Sequence, residues 1–245
     1  MLITIIVAIA VGLALTQVAN VITSVWLHRA LSHKALRIRE PLTTVFRVML
    51  WMLTGIQPRQ WVAVHRRHHA ATDTEDDPHS PARLGWVRVQ FLNALLYRRV
   101  AHDDENTRRY ARDIPRTGLD RHLLEKGWLG MGLTVAILIL TLGWWAGPLA
   151  FAVHVIAYVG LGGCVNALAH TFGRRDHPNS ATNLQWLAFL TAGEGLHNNH
   201  HAMPTTARFS FRRPQIDPGW HVIVIARALR LAEVRHDTLV GTASR

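Results

Sequence analysis

Two long stretches of this chain, Met1–His28 and Trp128–Gly173, contain no Lys, Arg, Asp or Glu, although the whole sequence carries 27 basic and 16 acidic residues. A charge at the centre of a bilayer costs roughly 2.5–3.5 kcal/mol on insertion scales, so membrane-spanning segments require this kind of segregation. It also reconciles 49% apolar residues and a mean hydropathy of +0.10 with a net charge of +11. That basic balance would suit nucleic acid, but no zinc-finger or RNA-binding signature accompanies it. The positive-inside rule accounts for it, and no nucleic-acid partner is expected. Cys164 is the single cysteine and lies in an apolar run, which excludes disulfides and thiolate metal sites. The 245 residues suit one domain, 1–245.

The expected architecture is all-α and integral to a membrane. Leu2–Leu27 exceeds the ~20 residues needed to cross hydrocarbon, and it lacks the basic n-region of a cleaved signal peptide. After the basic stretch Arg29–Arg39, the segment Leu42–Ile56 is short for a span and contains Arg47, so an interfacial or re-entrant helix is expected there. Pro58 to Lys126 is polar, with turn signals at Asp77–Pro78 and Ser80–Pro81. Trp128–Trp145 and Pro148–Phe172 read as a helical hairpin broken at Ala146–Gly147–Pro148, with Trp144 and Trp145 at the aromatic interface belt. From Arg174 onward the chain is polar apart from Leu184–Leu190. Three spanning segments (about 2–27, 128–145 and 148–172) follow, with Met1 outside and the regions 29–126 and 174–245 forming a cytoplasmic helical cap. The expected location is the membrane (the cell inner membrane in a bacterium), with the active site on the cytoplasmic side.

Half of the 16 histidines fall into three groups. His28 and His33 lie in H-R-A-L-S-H, His65, His68 and His69 in H-R-R-H-H, and His197, His200 and His201 in H-N-N-H-H. On a helix, positions i, i+3 and i+4 share a face, so each later group is expected to present three imidazoles to one point. Positions five apart are ~140° apart on an α-helix, so His33 is expected to reach the site from beyond the helix end. Eight imidazoles are too many for one ion and suit two. Imidazole accepts iron, copper, nickel or zinc, and redox-active iron is the natural choice for a pair held near lipid, although ligand type leaves zinc open. Of the isolated histidines, His102, His122, His177, His221 and His236 read as solvated, and His154 as a structural polar group. His170 closes the last apolar run with Asn166 one turn before it, so both face the same way.

These boxes, with W-V-A-V-H-R-R-H-H, D-P-H-S-P, N-A-L-A-H-T-F-G and G-E-G-L-H-N-N-H-H-A-M-P, resemble the membrane fatty-acid desaturases from about Val21 to Phe211. The likeness is to the stearoyl-CoA (acyl-CoA) branch, in a bacterial-type form. It implies two iron ions held by His28, His33, His65, His68, His69, His170, His197, His200 and His201, with Asn166 acting through a water. It also implies an O2-dependent oxidoreductase of lipid metabolism that puts a cis double bond into a fatty acyl chain, with acyl-CoA the favoured substrate. The sequence departs from the family in lacking a further span before the first box and in carrying Leu31 where relatives often have Trp. No fused cytochrome b5-like domain is seen, so electrons are expected from a separate donor such as a ferredoxin or a reductase.

Asp73, Glu75, Asp76, Asp77 and Glu194 are candidates to receive the second N–H of the ligand imidazoles, against a plainer reading as a solvated acidic loop. Trp61 lines an acyl tunnel or anchors the membrane interface. Arg37, Arg39 and Arg59 meet a CoA phosphate or belong to the positive-inside surface. The competing functions are hydroxylation of the same chain and a non-catalytic metal-binding membrane protein. A zinc membrane protease is disfavoured because no H-E-x-x-H occurs.

Overall fold

The computed structural model describes residues 1–235. His236 and the rest of the C-terminal stretch of the expected cap, 236–245, lie outside the described residues.

The first apolar run forms α1 (Leu2–Ile22), whose 21 residues rise about 31 Å, close to the ~30 Å hydrocarbon thickness. It continues without a break into a π-helical segment, Thr23–Ser32, so the continuous helix covers 31 residues. β1 (Leu36–Ile38), α2 (Leu42–Thr54) and α3 (Pro58–Ala71) follow. Next come α4 (Pro81–Leu84), α5 (Trp86–Ala101), α6 (Asp104–Tyr110) and a π turn at Asp120–Leu124. The second apolar unit is α7 (Gly127–Leu142) and α8 (Ala146–Ala167), the latter prolonged by a 3-10 turn at Leu168–His170. Short α9 (Gln185–Leu190), α10 (His197–Ala202) and α11 (Pro218–Ala228) precede β2 (Ala232–Val234).

The protein is mostly helical, and among the described residues two helices are long and apolar enough to cross a membrane, Leu2–Ser32 and Ala146–His170. The expected third, α7, is apolar but has 16 residues, a rise of about 24 Å. The hairpin break also falls earlier than expected. Gly143 ends α7 at φ +95, a conformation that disfavours a side chain. Pro148 then sits within the first turn of α8, where a missing N–H costs nothing because those donors lack helical partners. Nor is the chain purely helical: β1 and β2 pair antiparallel, with Arg37 opposite Glu233. Strands of three residues are too short to show alternation in the sequence.

α1 and α8 form the spine of the bundle. They approach so closely at Gly12 that an added Cβ would lie 2.4 Å from the Ala150 carbonyl oxygen. One turn on, His154 is fully buried, with Nδ1 3.1 Å from Thr16 Oγ1 and Nε2 2.9 Å from the Leu53 carbonyl oxygen, so it ties α1, α8 and α2 together. It is the structural group expected. α2 packs on α1 and α7, and its Arg47 turns out to Asp120 at 2.6 Å. The main hydrophobic cluster (Ile22, Val25, Leu27, Leu50, Ile223) joins the π segment to α2 and α11 and fixes the histidine-bearing end of α1.

Candidate metal centre

Four segments bring nine histidines together. The π segment carries His28, and its cap residue His33 donates its N–H to the His28 carbonyl at 3.1 Å. Winding with i→i+5 bonds therefore places residues five apart one turn above each other, where an α-helix would separate them. α3 supplies His65, His68 and His69, α10 supplies His197, His200 and His201, and the turn after α8 supplies His170.

The imidazoles form two sets whose ligand atoms lie within 4.8 Å of one another: His28, His33, His65, His69 and His200, and His68, His170, His197 and His201. Neither triple box points at one place, contrary to the sequence expectation. At 100° per residue, i and i+4 are ~40° apart, whereas i+3 lies ~100° from i+4 on the other side. His65 and His69 thus join one set and His68 the other; in α10, His197 and His201 join the second set and His200 crosses to the first.

Carboxylates face three of the imidazoles. Glu194 Oε2 is 2.5 Å from His28 Nδ1, Asp77 is 3.0 and 3.1 Å from His68 Nδ1, and Asp73 is 3.6 Å from His170 Nδ1. Burial by itself raises the Asp77 carboxyl, but the His68 hydrogen bond and charge outweigh it and bring it down to about 2. Asp73 and Glu194 are likewise lowered, against burial, by His170 and His28 respectively. Glu75 and Asp76, the other two candidates, point out to Arg83 and Arg67 and take no part. The acidic loop is therefore divided between the site and the surface.

Nδ1 of His28 and of His68 faces a carboxylate, which directs the Nε2 edge of each ring toward the other imidazoles. Those Nε2 atoms face further imidazole nitrogens: His28 to His200 at 2.9 Å, His200 to His69 at 2.9 Å, and His68 to His201 at 3.4 Å. His33 and His65 meet at 2.8 Å, and His197 and His201 at 3.1 Å. A neutral ring has one N–H to share among these contacts, and both nitrogens of His170 and Nδ1 of His197 and His200 are buried without a hydrogen-bond partner, so the donor set fits metal ions. Protons do not fill that role. Burial first, then the neighbouring imidazoles, lowers His33, His65, His69, His197, His200 and His201 well below the ordinary 6.5.

The remaining candidates divide. Asn166 donates its amide to Asn93 Oδ1 at 2.8 Å. Trp61 stacks on His65 with ring centroids 4.9 Å apart and meets His28 edge-on. Arg37 and Arg39 lie beside Glu233, whereas Arg59 lines a cavity of about 400 Å³ whose wall includes Trp26, Leu31, Arg47, Gln57 and Gln60. A second cavity, of about 500 Å³, opens on His33, His69 and His201 beside Ser180 and Asn179. His102, His122 and His221 are exposed as expected, and His177 is half-buried against Phe211.

Sequence reasoning missed three kinds of residue. His79 is buried, stacks on His68 at 4.6 Å, and is held down to about 3, chiefly by burial; the D-P-H-S-P motif was its signal. Arg66 binds the Ser32 and Leu31 carbonyls and Asp113, clamping α3 to the end of the π segment. Asn198 is fully buried and ties Asp176, His177 and Ala181 to α10.

Fold and site together define a helical protein whose two imidazole sets, fit to hold metal, sit where apolar helices end. The chain matches the fatty acid desaturase family over residues 4–215 and belongs to it. It is 29% identical over 234 residues to Delta-9 desaturase-like 2 protein of Arabidopsis thaliana, covering 90% of this chain and 74% of that protein. It is 32% identical over 182 residues to sn-1 stearoyl-lipid 9-desaturase of Anabaena variabilis, covering 71% and 64%. It is 34% identical over 215 residues to Acyl-CoA C20 Delta5-desaturase of Anemone leveillei, covering 86% and 67%. The chain thus spans from just under two thirds to about three quarters of these relatives' lengths. Membership makes it an oxidoreductase that introduces a double bond into a fatty acyl chain.

Proposed function

We propose that this chain is a membrane-embedded desaturase with a histidine-held di-iron centre, placing a cis double bond in a fatty acyl chain, with acyl-CoA the favoured substrate. The observation that carries the reading is the pair of imidazole sets whose ring nitrogens converge. His28, His33, His65, His69 and His200 would hold one iron; His68, His170, His197 and His201 the other, with Asn166 acting on one of them through a water. Bound iron supplies, with O2 and two electrons from a separate donor such as a ferredoxin or reductase, the oxidising power to remove hydrogen from two adjacent methylenes.

The protein's own part is positional. Glu194 and Asp77 would orient His28 and His68, and Asp73 lies against His170 at 3.6 Å. Burial of His28, His68, His170, His197 and His200 keeps water away from the reacting chain. The cavity behind Trp26 and Leu31 is the candidate acyl entrance, and Leu31 leaves more room there than Trp would. Arg59 and Gln60 on its wall offer donors to a polar carrier.

The membrane reading rests on the length of α1 and on α7 and α8 packing as an adjacent pair. We place Met1 outside, three segments across the bilayer with α7 the shortest, and both polar regions in the cytoplasm as a cap just above the lipid boundary. Expression in cells, beside a His200→Ala control, followed by mass spectrometry of total fatty acids tests the function. The expected product has lost two hydrogens, and only the unaltered chain makes it. A product that has gained an oxygen atom makes the enzyme a hydroxylase, and identical profiles from two well-expressed, metal-loaded proteins refute both.

A further inference from the structure

The residue after the first ligand carries a charge that the reading above leaves without a task. Arg29 is 0% exposed. One guanidinium nitrogen reaches both Asp217 oxygens, at 2.9 and 3.1 Å, and the other binds Ser24 Oγ and the Ala192 carbonyl oxygen. The guanidinium carbon lies 3.8 Å from the centre of the Phe209 ring, and that ring also packs on His28 and His200. A Cβ on Gly219 or Gly193 would come within 2.4 or 2.7 Å of the guanidinium nitrogens, so the surrounding backbone is shaped to this head group.

Stability alone does not account for such a cage. Exchanging a buried ion pair for apolar residues of similar volume is often neutral or stabilising, so a retained charge asks for another reason. Glu194 supplies one. Its Oε1 accepts from Ser24 Oγ at 2.5 Å and lies 3.9 Å from Arg29, while its Oε2 faces His28 Nδ1. Arg29 and Ser24 thus hold one carboxylate oxygen so that the other is aimed at the ligand imidazole. The other set is built differently: among the described residues no Arg or Lys pairs with Asp73 or Asp77, which are held by Ser80 and by backbone N–H groups.

We infer that Arg29 is a positioning residue for the first metal set only, acting through Ser24 and Glu194 on His28, while Asp217 locks the guanidinium in place. The inference rests on the di-metal reading proposed above. Losing an outer contact of this kind typically weakens metal binding 10- to 100-fold, and here the loss falls on one of two sites.

The test is metal release to excess chelator from the full chain in detergent, loaded with Fe2+ or, as a spectroscopic probe, Co2+. Unaltered protein is expected to release two equivalents in two phases. Glu194→Gln identifies the phase belonging to the first set and Asp77→Asn the phase of the second. Ser24→Ala and Arg29→Lys are expected to speed the Glu194 phase about tenfold and to leave the Asp77 phase at its original rate. Ser24→Ala keeps the ion pair with Asp217, so it carries the test if Arg29→Lys does not fold. Unchanged rates, or both phases speeding together with a fall in melting temperature, overturn the assignment and leave Arg29 a packing residue. Unaltered protein that holds fewer than two metal ions refutes the di-metal reading itself.

Discussion

Replacing Asp77 by Asn is nearly isosteric, yet it is expected to damage the second metal set. Asp77 accepts from His68 Nδ1 through both oxygens, at 3.0 and 3.1 Å, from the Asp73 N–H at 2.8 Å and from the His79 N–H at 3.0 Å. Its surroundings offer donors only. Asn has one oxygen, and its NH2 must then meet another N–H. Exchanging a charged acceptor for a neutral one loses about 1–1.5 kcal/mol, and a buried donor left unpaired costs about 1–3 kcal/mol. The loop from Asp73 to His79 should therefore be destabilised by roughly 2–4 kcal/mol. At the metal, the loss of an ionised partner from His68 corresponds to a 10- to 100-fold weaker site. Since the Asp77 carboxyl titrates at about 2, the native protein carries this charge across the physiological range and no ordinary pH change mimics the substitution. Metal content by elemental analysis, with competition against a chelator of known affinity, measures the effect. Asp77→Asn protein that binds two equivalents as tightly as the unaltered chain would show that the carboxylate does not orient His68.

Two further outcomes follow from the same geometry. Six imidazoles of the two sets are lowered well below 6.5, so the metal-free folded protein stays neutral there while the unfolded chain takes up protons. Metal-free stability is therefore full above 6.5 and lost as pH falls toward the lowered values, by on the order of 1 kcal/mol per pH unit for each such group. Melting curves of metal-free protein between about pH 7.5 and about pH 5.5 should show the fall, and flat curves would contradict the burial argument. His154→Leu leaves the Leu53 carbonyl without its imidazole partner in an apolar bundle, while Thr16 keeps the Gly12 carbonyl, so thermal stability in detergent should drop by about 1–3 kcal/mol. Metal content should stay at the unaltered level, and its loss would place His154 nearer the chemistry than its contacts suggest.

The sequence disclosed the histidine cluster more fully than the architecture. Clustered histidines at helical spacing, beside stretches free of charge, leave few chemistries open, and all nine expected histidines meet in the structure. Glu194, Asp73 and Asp77 were legible because each lies close in sequence to a box. Arg29 and Asp217 were not. They are far apart along the chain, and Arg29 sits in a basic stretch where surface position is the ordinary expectation. His79 was hidden for the opposite reason, standing alone in a turn whose folding onto α3 no periodicity announces. The π segment was equally unreadable: five-residue spacing counts against a shared face until the winding itself changes. α7 shows a different limit, since an apolar run is longer than the helix it forms when Gly143 ends that helix early.

The exchange of ligands between boxes yields the sharpest test of the site. If each box served its own metal, substitutions at sequence neighbours such as His68 and His69 would act on one ion, and residues from different boxes would act on different ions. The structure puts His68 with His170, and His69 with His28 and His200. Substitutions within one set act on a single binding event, so removing a second ligand adds less than the first; substitutions in separate sets should come nearer to adding. Measured as the affinity of each site, His68→Ala with His170→Ala should be strongly non-additive. His68→Ala with His69→Ala, although adjacent in sequence, should weaken both sites in roughly additive fashion. Strong coupling between the neighbours and additivity across the segments would mean that α3 turns its histidines to one ion. That result would overturn the division into two sets on which the placing of Glu194, Asp77 and Arg29 depends.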